Sequence, residues 1–240
     1  MTADCSLFNW YEISNLVGPY IRPGGFSFTK KALEVCRFPV GSRIIDIGCG
    51  VGGTLKYLEQ SKMYKTVGLD YSETLTGEAL FRLTSTCLVR GRAESLPFKE
   101  GSFDALFCEC VFSTLSKKLS VLNELKRVLK DGGFLIISDV FCQGDGITEL
   151  PVEKSNLNGT NEYLTKNELL SIVQNLGFSI LHWEENRDFI GEFVAKLILA
   201  GHKIPSSWRF IREQQKCRKD CFQISYFLLV GRLTKMDNNI

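Results

Sequence analysis

Ile44-Ile45-Asp46-Ile47-Gly48-Cys49-Gly50-Val51-Gly52-Gly53 is the stretch that decides the fold. Its first half is apolar and rich in Ile, as in a strand buried on both faces. Its second half carries glycine at positions 48, 50, 52 and 53. Glycine permits left-handed backbone and lets a ligand come close to the main chain. Residues 54–60 then continue as a helix, whose first N–H groups lack partners and point back toward the loop. Asp46 precedes the first glycine by two positions, and Asp70 closes the next predicted strand, 66–69.

Working outward, strands are predicted at 43–47, 66–69, 86–90, 103–108, 134–138, 179–183 and 224–230. Leu119, Leu122, Leu125, Val128 and Leu129 fall at helical spacing and predict a helix stopped by Asp131-Gly132-Gly133. Thr165-x-x-Glu168 is a capping box that opens a helix closed by Gly177, and 189–199 reads as another helix. Strands alternating with helices give an α/β fold, a doubly wound, mostly parallel sheet covered on both faces. Residues 1–40 read as mixed and partly helical, broken at Arg22-Pro23-Gly24-Gly25, and 141–163 as a polar, Gly-rich loop. A chain of 240 residues fits one domain. It divides into an N-terminal lid segment (1–40), a core (41–140) and a later part (141–240) that adds insertions and the last strands.

Composition narrows the partners. With 44% apolar and 23% charged residues the chain can bury a sizeable core, and a net charge of +2 is too balanced for a nucleic-acid surface. The start, MTADCSLFNWYEIS, lacks the basic and apolar regions of a leader, and no apolar run reaches the ~20 residues of a membrane span. The run 189–200 comes closest and is interrupted by Lys196. The nine cysteines are scattered and odd in number, which predicts reduced thiols and a cytoplasmic protein. Cys108 and Cys110 share one side of a strand, and Cys217 and Cys221 one helix face, but neither pair has C-x-x-C spacing, so no metal site is expected. A trio of Cys110, Cys142 and Cys221 around a soft metalloid is a weaker reading of the same thiols. The basic stretch 209–220 reads as a solvated helix face, and His182 and His202 as structural or surface residues.

Two glycine fingerprints compete for the loop. Gly48, Gly50 and Gly53 satisfy G-x-G-x-x-G, which binds dinucleotides; Gly48, Gly50 and Gly52 satisfy D-x-G-x-G-x-G, which belongs to methyltransferases. Asp46 favours the second, because a sulfonium cofactor carries an ammonium and no pyrophosphate, and an acid beside the loop suits it.

Further motifs follow in order: Val67-Gly68-Leu69-Asp70, Gly91-Arg92-Ala93-Glu94-Ser95-Leu96-Pro97-Phe98, Gly101-Ser102-Phe103-Asp104, and Glu124 through Gly133. Over about residues 40–140 the chain resembles the class I S-adenosylmethionine-dependent methyltransferases, and within them the small-molecule branch that includes the quinone-biosynthesis C-methyltransferases. The resemblance implies a seven-stranded sheet with its last strand antiparallel between its neighbours, and S-adenosylmethionine as cofactor. It implies that Gly48, Gly50 and Gly52, with Asp46 and Cys49 in the same loop, meet the methionine part. Asp70 would hold the ribose, Tyr71 would pack on the adenine, and Ala93 and Glu94 would lie along its edge. Arg92 departs from the family, which often has Asp there; Arg cannot accept a hydrogen bond from the adenine amino group.

The end of the fourth strand, Cys108-Glu109-Cys110-Val111-Phe112, stands where the family places residues near the transferable methyl group. Glu109 is the candidate catalytic residue, orienting or deprotonating the acceptor. Phe112, Phe141 and Trp208 are expected to enclose a small-molecule acceptor, and Arg22 to meet the methionine carboxylate. No nucleic-acid or membrane partner is expected. Two other classes remain open: a non-catalytic binder of the same cofactor, and a nicotinamide-dependent oxidoreductase.

Overall fold

A computed structural model describes residues 22–143, 164–199, 201 and 223–234. The predicted segment 1–21, the loop 144–163, His202, Trp208, the basic stretch 209–220, Cys217, Cys221 and the side chain of Cys142 lie outside the described residues.

Seven strands form one sheet: β1 Arg43–Ile47, β2 Lys65–Asp70, β3 Cys87–Arg90, β4 Phe103–Glu109, β5 Leu129–Gln143, β6 Phe178–Asn186 and β7 Gln223–Leu233. Their order across the sheet is β3-β2-β1-β4-β5-β7-β6. β1 to β5 pair in parallel, whereas β7 runs antiparallel between β5 and β6. Ile45 lies opposite Val67 on one side and Leu106 on the other. The strand order reverses direction between β1 and β4, and ligands of such sheets lie in the crevice at the carboxyl ends of strands flanking that point.

Successive side chains of β1 serve opposite faces of the sheet. Ile45 and Ile47 join Leu106, Cys108, Val121 and Leu125 on one face, and Ile44 joins Phe28, Phe107 and Val230 on the other. This double burial explains why β1 reads as a nearly continuous apolar run with a single acid in it.

The helices are α1 Ser27–Cys36, α2 Gly53–Gln60, α3 Glu73–Arg82, α4 Lys118–Val128, α5 Lys166–Asn175 and α6 Asp188–Leu199. The capping box of α5 forms as read, with both the Thr165 and Glu168 side chains engaged. Three features differ from the reading. α3 is not predicted, because it buries only Leu75, Thr76 and Ala79 while Leu80 and Phe81 face outward, which blurs any apolar stripe. α4 ends at Val128, before Asp131-Gly132-Gly133, because Leu129 already pairs with Phe103; the glycines instead form the irregularity before Phe134 pairs with Ala105. β5 runs on to Gln143 because β7 gives it partners from Phe134 to Gln143.

Among the described residues no helix is long and apolar enough to cross a membrane.

Candidate active site

The glycine loop leaves β1 and is tied down by the neighbouring strand. Gly48 and Cys49 donate their N–H groups to the Leu69 carbonyl at 2.7 and 3.1 Å. Gly50 N–H donates to Asp70 Oδ2 at 2.8 Å, and Ser72 N–H to Asp70 Oδ1 at 2.8 Å. Asp70 therefore organises the loop as well as ending β2. Gly48, Gly50 and Gly52 all have left-handed backbone, with φ of 71°, 53° and 80°. Their surroundings differ. A Cβ at Gly48 would come within 2.3 Å of Val111, and one at Gly52 within 2.9 Å of Leu83. At Gly50 it would meet nothing within 4 Å among the described residues, so Gly50 is where they leave the loop open.

Beside this loop lies a buried polar cluster that spans three elements. Arg22, in the turn before α1, donates Nη1 to Glu109 Oε2 at 2.5 Å and to Thr54 Oγ1 at 2.8 Å, Nη2 to Thr29 Oγ1 at 2.6 Å, and Nε to the Gly25 carbonyl at 2.8 Å. Thr29 and Thr54 donate in turn to Glu109 at 2.8 and 2.6 Å. Both Glu109 oxygens are thus occupied by the protein, and its side chain is 1% exposed. Arg22, read as a partner for the methionine carboxylate, is placed on Glu109 instead. Thr29 and Thr54 carried no signal in the sequence, although Thr54 directly follows the glycine loop and so had to lie near it.

Asp46 is the contrast. It is 3% exposed, yet its carboxyl group makes no hydrogen bond among the described residues. Burial pushes its pKa well above the ordinary carboxylate range; Glu109 and Asp70 push the same way and Arg22 opposes them.

On the other side of Asp70, Tyr71 is half exposed at the carboxyl end of β2. The Arg92 guanidinium lies over its ring, 4.9 Å from the centroid, and pairs with Glu94 at 3.6 Å. Gly91 N–H is held by the Asp70 carbonyl at 3.0 Å, and Ala93 is buried, so Asp70, Tyr71, Arg92, Ala93 and Glu94 share one corner.

Beyond β4 the chain makes a left-handed turn at Cys110, φ 59°, a conformation that costs about 1–3 kcal/mol in a residue with a Cβ. The turn carries Val111 onto Gly48. Asp139, on β5, is 1% exposed and accepts from Ser113 N–H at 2.8 Å and Val140 N–H at 2.7 Å. Burial pushes its pKa up, against these hydrogen bonds. Phe112 and Phe141, expected as pocket walls, are core residues at 3% and 2% exposure. Phe141 packs edge-on against Trp183 and Phe227. The cavity that Phe112 and Phe141 border is about 10 Å³, room for no more than a water. A larger cavity of about 440 Å³, bordered by Ser42, Asp104, Lys130 and Arg232, opens at the amino ends of β1 and β4. It lies at the opposite end of the sheet from Asp70 and Glu109 and shares no residue with the glycine loop.

Residues 45–137 match a family described as a methyltransferase domain. That span runs from β1 into β5 and contains the glycine loop, Asp70 and Glu109. Phosphoethanolamine N-methyltransferase 1 of Triticum aestivum is 27% identical over 53% of this chain and 26% of its own length. An uncharacterised methyltransferase of Synechocystis is 34% identical over 47% of this chain and 54% of its own. The chain thus spans about half or less of these two relatives. The [4+2]-cyclase SpnF superposes with a TM-score of 0.74 at 21% identity, covering 93% of both chains. Phosphoethanolamine N-methyltransferase 2 of Haemonchus contortus, in complex with phosphomonomethylethanolamine and S-adenosylhomocysteine, superposes with a TM-score of 0.69 at 17% identity, covering 94% of this chain and 57% of its own. Since a cyclase shares the fold, these superpositions carry the architecture and leave the reaction to the site.

Proposed function

We propose that the chain transfers a methyl group from S-adenosylmethionine to a small organic acceptor over the carboxyl ends of β4 and β5. The observation that carries this reading is Asp46: a buried carboxyl group with no hydrogen-bond partner among the described residues, beside Gly50, where those residues leave the loop open. A cation completes such a site, whereas the pyrophosphate of a dinucleotide brings Asp46 no positive partner, which argues against the nicotinamide reading. When bound, S-adenosylmethionine supplies an electrophilic methyl group whose leaving group is a neutral thioether, so the protein needs no acid.

In this reading Gly50 admits the methionine part, with Gly48, Cys49 and Gly52 shaping the loop around it. Asp70 offers its carboxylate to the ribose, Tyr71 its ring to the adenine, and Ala93 and Glu94 line the edge. Glu109 acts on the acceptor side by orientation, because both of its oxygens already accept hydrogen bonds. The protein's main contribution is then alignment of the reactants. The small-molecule acceptor is supported by the phosphoethanolamine N-methyltransferases among its relatives; the motifs' likeness to quinone-biosynthesis C-methyltransferases points to the same class. We also take 1–240 as one domain, and as cytoplasmic, the latter supported by the free thiols Cys36, Cys49, Cys87, Cys108 and Cys110.

Calorimetry with S-adenosylmethionine, S-adenosylhomocysteine and NADH tests the cofactor. Micromolar binding of the first two is expected, roughly −8 kcal/mol, and binding of NADH alone would overturn the reading. Mass spectrometry of a cell extract incubated with methyl-labelled cofactor then tests the reaction. Transfer of label to a small molecule is expected; tight binding with no transfer to any component would make the chain a cofactor-binding module.

A further inference from the structure

We infer that Asp46 carries a proton while the cofactor site is empty and releases it when a net cation binds, so that the protein tells S-adenosylmethionine from S-adenosylhomocysteine by their difference of one charge. This rests on the cofactor reading above.

The argument begins with the surroundings of Asp46. From β4 it faces Glu109 and the Cys108 thiol, from β2 Asp70, from the loop Cys49, and from the turn before α1 Arg22. Arg22 is the one cation among these groups, and its hydrogen bonds go to Glu109, Thr54, Thr29 and Gly25, none to Asp46. The charge of Arg22 is therefore matched by Glu109. Asp70 spends its oxygens on Gly50 and Ser72. An ionised Asp46 would be an almost fully buried carboxylate with neither a counter-ion of its own nor a hydrogen bond among the described residues. That costs several kcal/mol, and such groups neutralise by taking up a proton. Burial and the neighbouring Glu109 and Asp70 act in that direction, with Arg22 only partly opposing them.

The two ligands share an ammonium and a carboxylate, which cancel. They differ by the sulfonium, so one is a net cation and the other neutral. A net cation balances an ionised Asp46, and the proton leaves; a neutral ligand leaves no charge for Asp46 to balance, and the proton stays. The linkage sign follows. Binding that releases a proton strengthens as pH rises, until it passes the value at which Asp46 ionises in the empty protein. Affinity for S-adenosylmethionine should climb over that range while affinity for S-adenosylhomocysteine stays nearly flat, so the product is rejected more effectively toward alkaline pH.

Calorimetric titration in buffers of different ionisation heat, over the pH range in which the protein stays folded, counts the protons. Release of about one proton is expected with S-adenosylmethionine below the pH at which Asp46 ionises in the empty protein, and much less with S-adenosylhomocysteine. Asp46→Asn should abolish the difference and weaken S-adenosylmethionine at least about tenfold, with a smaller effect on S-adenosylhomocysteine. Infrared spectroscopy of the unaltered protein gives a reading independent of the variant: the band of a buried protonated carboxyl group should vanish with the first ligand and persist with the second. Equal proton counts for the two ligands, a difference that survives in Asp46→Asn, or no change in that band overturns the role of Asp46 and leaves the cofactor reading standing. Absence of binding by either ligand to the unaltered protein overturns the cofactor reading and this inference with it.

Discussion

Arg22 and Glu109 stand 87 residues apart in the chain and 2.5 Å apart in the fold. Their pair ties the turn before α1 to the end of β4, and Thr54 brings the start of α2 into the same cluster. Removing one partner strands the other as a buried charge, so Arg22→Met and Glu109→Gln are each expected to cost about 3–5 kcal/mol of stability. The double variant should lose clearly less than the sum of the two, because no lone charge is left buried. Urea denaturation of the four proteins measures this coupling. Additive losses would show that the pair is not the joint described.

Two loop glycines should behave differently when changed to alanine. At Gly48 the new Cβ meets Val111 at 2.3 Å in backbone that already has φ 71°, so the protein itself should lose about 2–4 kcal/mol. At Gly50 the strain is similar but the space is free, and the loss should stay near 1–2 kcal/mol. Cofactor affinity should suffer more from Gly50→Ala, since that methyl group projects where the loop opens. Thermal melts and calorimetry on the two variants separate these effects; equal stability losses would contradict the packing described.

Asp70 bonds Gly50 N–H in the structure and is proposed to bond the ribose of the cofactor. Asp70→Ala should weaken S-adenosylhomocysteine by about 1–3 kcal/mol, measured by calorimetry. An unchanged affinity would confine Asp70 to a structural role.

Glu59 offers a pH test away from the site. Its carboxylate accepts from the N–H groups of Thr84, Ser85 and Thr86 at 3.1, 2.7 and 2.8 Å. Partial burial works against ionisation, but these bonds and the Thr86 and Ser85 hydroxyls outweigh it and hold its pKa down at about 2, from an ordinary 4.5. A depressed acid stabilises the fold above its unfolded value and loses that contribution as pH falls from about 4.5 toward 2. Glu59→Gln should therefore lower the melting temperature at neutral pH, with the gap closing toward pH 2. A constant gap across that range would mean the hydrogen bonds do not depend on the charge.

The loop from Asp46 to Gly53 was legible because its chemistry is local: the glycines sit where the backbone turns left-handed, and the acid stands two residues before them. The seven strands and the antiparallel last strand between its neighbours followed from the family likeness and match the sheet. What escaped was long-range. Nothing near Glu109 in the sequence announces Arg22, and nothing in Ser27–Cys36 marks Thr29 as a ligand to that carboxylate. Phe112 and Phe141 are apolar residues near a site, and only packing decides whether such side chains line a pocket or fill a core. The sequence also could not show that the protein itself occupies both oxygens of Glu109.

The position of β7 bears on how the molecule is made. β6 pairs only with β7 among the described strands, and β7 also supplies the outer edge of β5. During synthesis, β1 to β5 can therefore pair with one another while β6 has no strand to pair with. Until Gln223–Leu233 leaves the ribosome, the β5 edge from Phe134 onward stays unpaired, a template for association between nascent chains. Closure of the sheet by a strand that slots in between two earlier neighbours is a long-range pairing, and such pairings are intrinsically slow to form.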